Sequence, residues 1–329
     1  MYKKPEGSLF QKIEVTVDIS QTVKPISTLV DTLCTDYLQG KDEVVRLAVI
    51  AMLSGGHILI EDLPGLGKTT IALALAGATG LSFGRVQCTS DLLPADITGL
   101  SIFNRGDGHF SFIPGPIFNN IVLLDEINRA MPRTQSAMLE AMEERRVTIE
   151  GTTHQLPDPF MVFATQNPSD QSGTFLLPES QLDRFLICTG IGYPPEALER
   201  SIISSGGIRE QIAGITPLVS VSEILAARRT VAQDIYLADK VVGYIHALVK
   251  ATRTHPLIQI GLSTRAAISL AQAARAAAFL AGRSYVAPDD VKGIASAVCA
   301  HRLVTRAGQA TDRGELLREI ISSIPLPLV

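Results

Sequence analysis

A chain of 329 residues, 46% of them apolar and 19% charged, is long enough for two domains with a buried core in each and too apolar to stay disordered. Aromatics at 5% and the absence of Trp, beside abundant Ala, Leu and Ile, favour α/β or all-α packing over a β-sandwich. With 29 basic against 33 acidic residues the net charge is −4, and no basic stripe of the kind a duplex-binding domain carries is evident.

The chain opens on Met1-Tyr2-Lys3-Lys4, but polar residues follow and no apolar h-region is present, so no signal peptide is expected. Residues 25–54 read as two helices, the second with an apolar face at Val44, Val45, Leu47, Ala48, Ala51 and Met52 and a stop at Gly55-Gly56. Five short apolar runs follow, at 57–61, 83–88, 121–125, 160–165 and 185–189. Their alternation with helical patterns predicts a parallel sheet covered on both faces. Two inserts have the alternation and turn residues of β-hairpins, at 101–113 and 147–156. After Tyr193-Pro194-Pro195 the pattern is helical, at 196–205, 221–232, 238–252, 264–281 and 288–301, with Ser204–Gly207 as a possible hinge. The expected organisation is therefore an α/β domain over 1–195 and an all-α domain over 196–329. The basic pairs Arg145-Arg146 and Arg228-Arg229 read as solvated helix faces. Cys34, Cys88, Cys188 and Cys299 form no C-x-x-C pair, which speaks against structural zinc and disulfides, and no apolar stretch is long enough for a bilayer. A cytoplasmic protein is expected.

The chemistry begins at Ile58-Leu59-Ile60-Glu61, a strand that runs into Asp62-Leu63-Pro64-Gly65-Leu66-Gly67-Lys68-Thr69-Thr70 and a helix. Backbone N–H groups of such a loop cradle phosphate oxygens at a helix N-terminus. Gly65 and Gly67 allow the close approach, Lys68 neutralises the β- and γ-phosphates, and the Thr69 hydroxyl ligates Mg²⁺. The first position of the usual pattern is Gly; here it is Asp62. Ile121-Val122-Leu123-Leu124 delivers Asp125 and Glu126 to the end of a later strand, where Asp125 can hold magnesium through water and Glu126 can polarise the attacking water. Asn167, after the next strand, either bonds the γ-phosphate or the lytic water or simply starts an Asn-Pro turn. Arg184 could reach a neighbouring subunit's nucleotide, although the residues alone favour a salt bridge with Asp183 or Glu179. Arg265 opens a helix against the dipole, so some contact must hold it there; the γ-phosphate of its own subunit is the one expected.

These motifs, with Leu124-Asp125-Glu126-Ile127-Asn128-Arg129-Ala130, Thr134–Glu144, Ala164–Pro168 and Leu177–Phe185, resemble the AAA+ ATPases and, within them, the MoxR family. The resemblance runs from about Gly40 to Val304, and Asp at position 62 is ordinary within it. It implies a three-layer αβα phosphate-loop domain with a five-stranded parallel sheet, a helical lid, and a ring, usually hexameric, with ATP between subunits. It further implies that Asn167 is sensor I, Arg184 an arginine finger acting in trans, and Arg265 sensor II. The inserts correspond to the pore-facing helix-2 insert and pre-sensor hairpin. The implied work is chaperone-like remodelling or activation of protein clients, often with von Willebrand factor A domain partners. Alternatives are a nucleic-acid motor or the ATPase of a magnesium-chelatase-like complex. The hairpin at 101–113 carries only Arg105 as a fixed positive charge against Asp107, which argues against nucleic acid.

Overall fold

Alternation within each strand decides the layering. In the computed structural model, which describes residues 18–106, 108–167, 173–205, 211–212, 214–306 and 312–327, Ile58 and Ile60 point to one face of the sheet and Leu59 to the other. The same split places Ile121, Leu123, Met161 and Phe163 on the first face and Val122, Leu124, Val162 and Ala164 on the second. Asp107, Pro168 and Gly206-Gly207 of the expected motifs lie outside the described residues, as does most of the motif-free segment 1–24.

The elements run α1 (Ser20–Thr32), α2 (Asp42–Leu53), β1 (Ile58–Glu61), α3 (Lys68–Thr79), β2 (Phe83–Gln87), α4 (Pro94–Thr98), β3 (Gly99–Asn104), β4 (His109–Pro114), β5 (Ile121–Asp125), α5 (Pro132–Glu144), β6 (Arg146–Ile149), β7 (Thr152–Gln155), β8 (Met161–Gln166), α6 (Glu179–Leu182) and β9 (Ile187–Thr189). Helices then dominate: α7 (Glu196–Ser205), α8 (Val221–Gln233), α9 (Asp239–Thr254), α10 (Thr264–Leu280), α11 (Pro288–Cys299) and α12 (Arg313–Ser323). The main sheet has five strands in the order β2-β5-β8-β1-β9, every neighbouring pair parallel. Both inserts are antiparallel hairpins, β3 with β4 and β6 with β7.

Two features depart from the sequence reading. The helical region contains a small antiparallel ribbon, Ile258–Ile260 (β10) against Val304–Thr305 (β11), too short to show as alternation. The apolar core, moreover, runs on from the sheet into the helical region. One cluster runs from α2, α3 and the first sheet face into α8 to α12, whereas the second face packs with α4 and α5 as a separate cluster. The helical region is thus joined to the sheet by shared apolar burial, not by a linker alone.

Candidate functional site

β1 lies between β8 and β9, so its carboxyl end opens into the crevice where an open parallel sheet binds ligands. Gly65 and Gly67 stand at φ +86° and +89°, left-handed values that a side chain would resist. Gly67 is also the N-cap of α3 and offers no side-chain acceptor, so the first N–H groups of that 12-residue helix are open to an anion. The cleft above them measures about 390 Å³ and is lined by Pro64, Gly65, Gly67, Lys68, Thr69 and Thr70 on one side and by Arg85, Asp125, Glu126, Thr165 and Asn167 on the other; Leu73 and Ile212 close it.

Lys68 Nζ bonds the carbonyl of Asp62 and lies 3.5 Å from that of Gln166. Burial holds its pKa below the usual lysine value, against the pull of Asp62, Asp125 and Glu126. Three of the expected loop residues do not line the cleft. Asp62 turns its carboxylate away, accepting from the N–H groups of Ile191 and Gly192 at 2.7 Å each and from Leu63 at 2.8 Å. Burial opposes its ionisation, yet these three donors keep its carboxyl below the ordinary range. Asp62 therefore ties the loop to the segment after β9, a task a glycine could not perform. Leu63 is one of its donors, and Leu66 offers its carbonyl to Lys41 at 3.1 Å.

Across the cleft, Thr165 on β8 joins the two acids, donating to Asp125 Oδ1 at 2.7 Å and accepting from the Glu126 N–H at 2.9 Å. Asp125 Oδ2 takes Arg85 at 2.8 Å, while Glu126 Oε2 takes Gln87 Nε2 at 3.1 Å and Arg129 at 3.0 Å. Glu126 sits at φ +57°, unusual for a residue with a side chain and costing about 1 kcal/mol. Arg85, Gln87 and Thr165 were missed in the sequence because they come from β2 and β8, not from the strand that carries the acids. Only the register Gln87↔Asp125 brings β2 beside the acid pair. Among the described residues no group of three or more His, Cys, Asp or Glu side chains could cage a metal. A magnesium ion here would lean on Thr69, Asp125 and phosphate oxygens, the sharing typical of that ion, and the donor set fits.

Arg184 and Arg265 lie elsewhere. A second cleft of about 260 Å³ is lined by Gly55, Gly56 and His57 at the amino end of β1, by Glu143 and Arg145 at the end of α5, and by Asp183, Arg184, Arg265 and Arg302. Arg184 meets Glu143 at 3.1 Å and the Leu139 carbonyl at 2.6 Å, not Asp183 or Glu179. Arg265 meets the same Glu143 at 2.8 Å and Asp183 at 3.8 Å. This corrects the expectation that Arg265 reaches the γ-phosphate of its own chain: the phosphate loop is at the other end of β1. Arg302, buried, meets the Asp183 carboxylate at 2.8 Å and donates to the carbonyls of Asp183 at 3.1 Å and Phe185 at 2.8 Å, so the helical region grips the backbone on both sides of Arg184. Nor are the basic pairs simply solvated. Arg145 donates to the Gly55 carbonyl, and Arg228 pairs with Asp158 at 2.6 Å.

The hairpins form a surface of their own. Leu100, Ile102, Phe103, Phe110 and Ile113 are exposed, Phe110 at 64%, and Phe103 and Phe110 pack 5.2 Å apart. Phe112 of β4 stacks on His154 of β7 with centroids 4.0 Å apart, joining the two hairpins.

Known proteins with this arrangement are recognisable. Residues 57–187 match the model of the ATPase family associated with various cellular activities (AAA), and residues 250–324 match the AAA lid domain. The chain is 44% identical to the uncharacterized protein YeaC of Bacillus subtilis over 88% of this chain and 91% of that protein. It is 36% identical to the chaperone MoxR1 of Mycobacterium tuberculosis over 88% of this chain and 79% of that one. The crystal structure of a proposed ATPase from Cytophaga hutchinsonii superposes with a TM-score of 0.86 at 34% identity, covering 94% of this chain and 97% of that one.

Proposed function

Because the chain belongs to the MoxR family of AAA+ ATPases, we propose that it hydrolyses ATP in the cleft between β1 and β5 and uses the cycle to remodel or activate partner proteins. The observation that carries the reading is the facing of an uncapped helix N-terminus and Lys68 by the Asp125–Glu126 pair across one cleft. Phosphoryl transfer asks for positioned charge more than covalent chemistry, and both are supplied here.

Lys68 and the first N–H groups of α3 bind the β- and γ-phosphates. Magnesium, when bound, screens their charge, with Thr69 and Asp125 as its protein contacts. Glu126, oriented by Gln87, Arg129 and the Thr165 bond to its N–H, takes a proton from water as that water attacks the γ-phosphorus. The bond to the β-phosphate oxygen breaks and ADP leaves. Asn167 lines the same cleft and orients the water or the γ-phosphate.

Arg184 and Arg265 cannot serve this cleft from the opposite end of the sheet. Both act instead on the nucleotide of a neighbouring copy in a ring, for which six subunits is the expected number. The exposed apolar hairpin β3–β4 is the surface offered to protein clients, a von Willebrand factor A domain protein among the candidates.

Phosphate release from the full chain, with and without magnesium, tests the core of the reading. Glu126→Gln should keep ATP binding and lose at least ~100-fold in turnover. Turnover near that of the wild type would remove Glu126 from its role.

A further inference from the structure

Lys41 is placed where a lysine should not be comfortable. It occupies the N-cap of α2, the positive end of a helix dipole, and offers no capping bond there. Its side chain is half-buried, and among the described residues no carboxylate lies within ion-pair distance of its ammonium. The acids of the first turn, Asp42 and Glu43, are exposed and make no ion pair with it. Burial alone pushes its pKa down.

What Lys41 does touch is the phosphate loop. Nζ donates to the Leu66 carbonyl at 3.1 Å, and it presses so close over Gly67 that a Cβ at that position would strike it. Gly67 itself lines the cleft and begins α3, one residue before Lys68. A half-desolvated cation that, among the described residues, meets one neutral carbonyl and no counter-charge raises the local positive potential, and an anion bound in the loop would offset it.

We propose that Lys41 is a second cation of the nucleotide site, set at the shoulder of the phosphate loop to bind the diphosphate portion common to ADP and ATP. The inference rests on reading the cleft as a nucleotide site. Lys68 lies against the carboxyl ends of β1 and β8, on the carbonyls of Asp62 and Gln166, and Lys41 comes from the start of α2, so the loop carries a cation from each. Since the diphosphate is shared by both nucleotides, Lys41 should strengthen ADP and ATP by the same factor.

Calorimetric titration of the full-length protein with ADP, a non-hydrolysable ATP analogue and adenosine tests this. Lys41→Met should weaken ADP and the analogue alike, by about tenfold or more, and make their affinities less sensitive to salt. Adenosine binding should be unchanged, and Lys41→Arg should restore most of the loss. Binding of ADP by Lys41→Met within twofold of the wild type overturns the proposal. So does an equal loss of adenosine and ADP, or a loss that Lys41→Arg fails to repair, either of which would make Lys41 a prop for the loop. A folded wild type that binds neither nucleotide would bring down the nucleotide reading of the cleft and this inference with it.

Discussion

The two clefts sit at opposite ends of the same short strand, and they are charged differently. The carboxyl-end cleft sets Lys68 and Arg85 against Asp125 and Glu126, a near-balance that an incoming magnesium and triphosphate can enter. The amino-end cleft sets four arginines, Arg145, Arg184, Arg265 and Arg302, against only Glu143 and Asp183. β1 has four residues, roughly 13 Å of chain, yet that span separates a cleft whose acids and bases balance from one where arginines outnumber carboxylates two to one. On the proposed reading, one end takes the chain's own nucleotide and the other meets that of a neighbouring copy. Complementary half-sites on opposite faces are what a head-to-tail ring requires.

The largest test of that contrast is Lys68→Ala, which should reduce nucleotide affinity at the carboxyl end by roughly 100-fold or more in a calorimetric titration. Unchanged affinity would leave the phosphate loop without its assigned role. Arg184→Ala should leave nucleotide affinity intact and lower kcat by about 10²-fold or more. Arg265→Ala should behave in the same way, and when either variant is titrated into wild type, activity should drop faster than dilution predicts. Proportional dilution would mean that the arginines act only within their own chain.

Acid should separate the two ends next. His57 and His301 are buried, His57 in the wall of the arginine cleft and His301 bonded to the Phe185 carbonyl beside it. Burial first, and then Arg145 or Arg302, pushes both down to about 3. A folded value below the unfolded one means that the unfolded chain binds more protons between the two. Stability is therefore complete above about pH 6.5 and falls as pH drops toward 3, by about 1.4 kcal/mol per histidine at pH 5.5. Thermal unfolding followed from pH 7.5 to 5.5 should show the decline. Hydrogen-exchange protection of the Val162 N–H, which His57 accepts at 3.0 Å, should weaken with it. The smallest effect is expected from Asp62→Asn, which loses charge-assisted bonds to Ile191 and Gly192 and should weaken nucleotide binding only a few-fold. A hundred-fold loss would mean that Asp62 contacts the ligand after all.

Legibility in the sequence followed the distance over which a signal is written. The loop at 62–70 and the acids at 125–126 are local patterns, each a strand end followed by a fixed set of residue types, and they read out directly. The five parallel strands were equally plain, because burial on both faces leaves unbroken apolar runs. Arg85 and Gln87 were not, since nothing near them in the chain says that β2 will lie in register with β5. Arg265 was misplaced for a related reason. Its position at the start of α10 showed that something must hold it, but which carboxylate does so depends on how α10 docks beside α5. Asp62 departs from the glycine pattern in a way the family resemblance makes ordinary, but the task it performs was not legible until its partners after β9 were known.

The left-handed backbone at Glu126 has one more consequence. A glycine or asparagine there would relax the main chain and raise the melting temperature, while deleting the carboxylate. Heat-resistance selection run without an activity requirement would therefore favour discarding this glutamate, so a sturdier variant recovered that way deserves sequencing at codon 126 first.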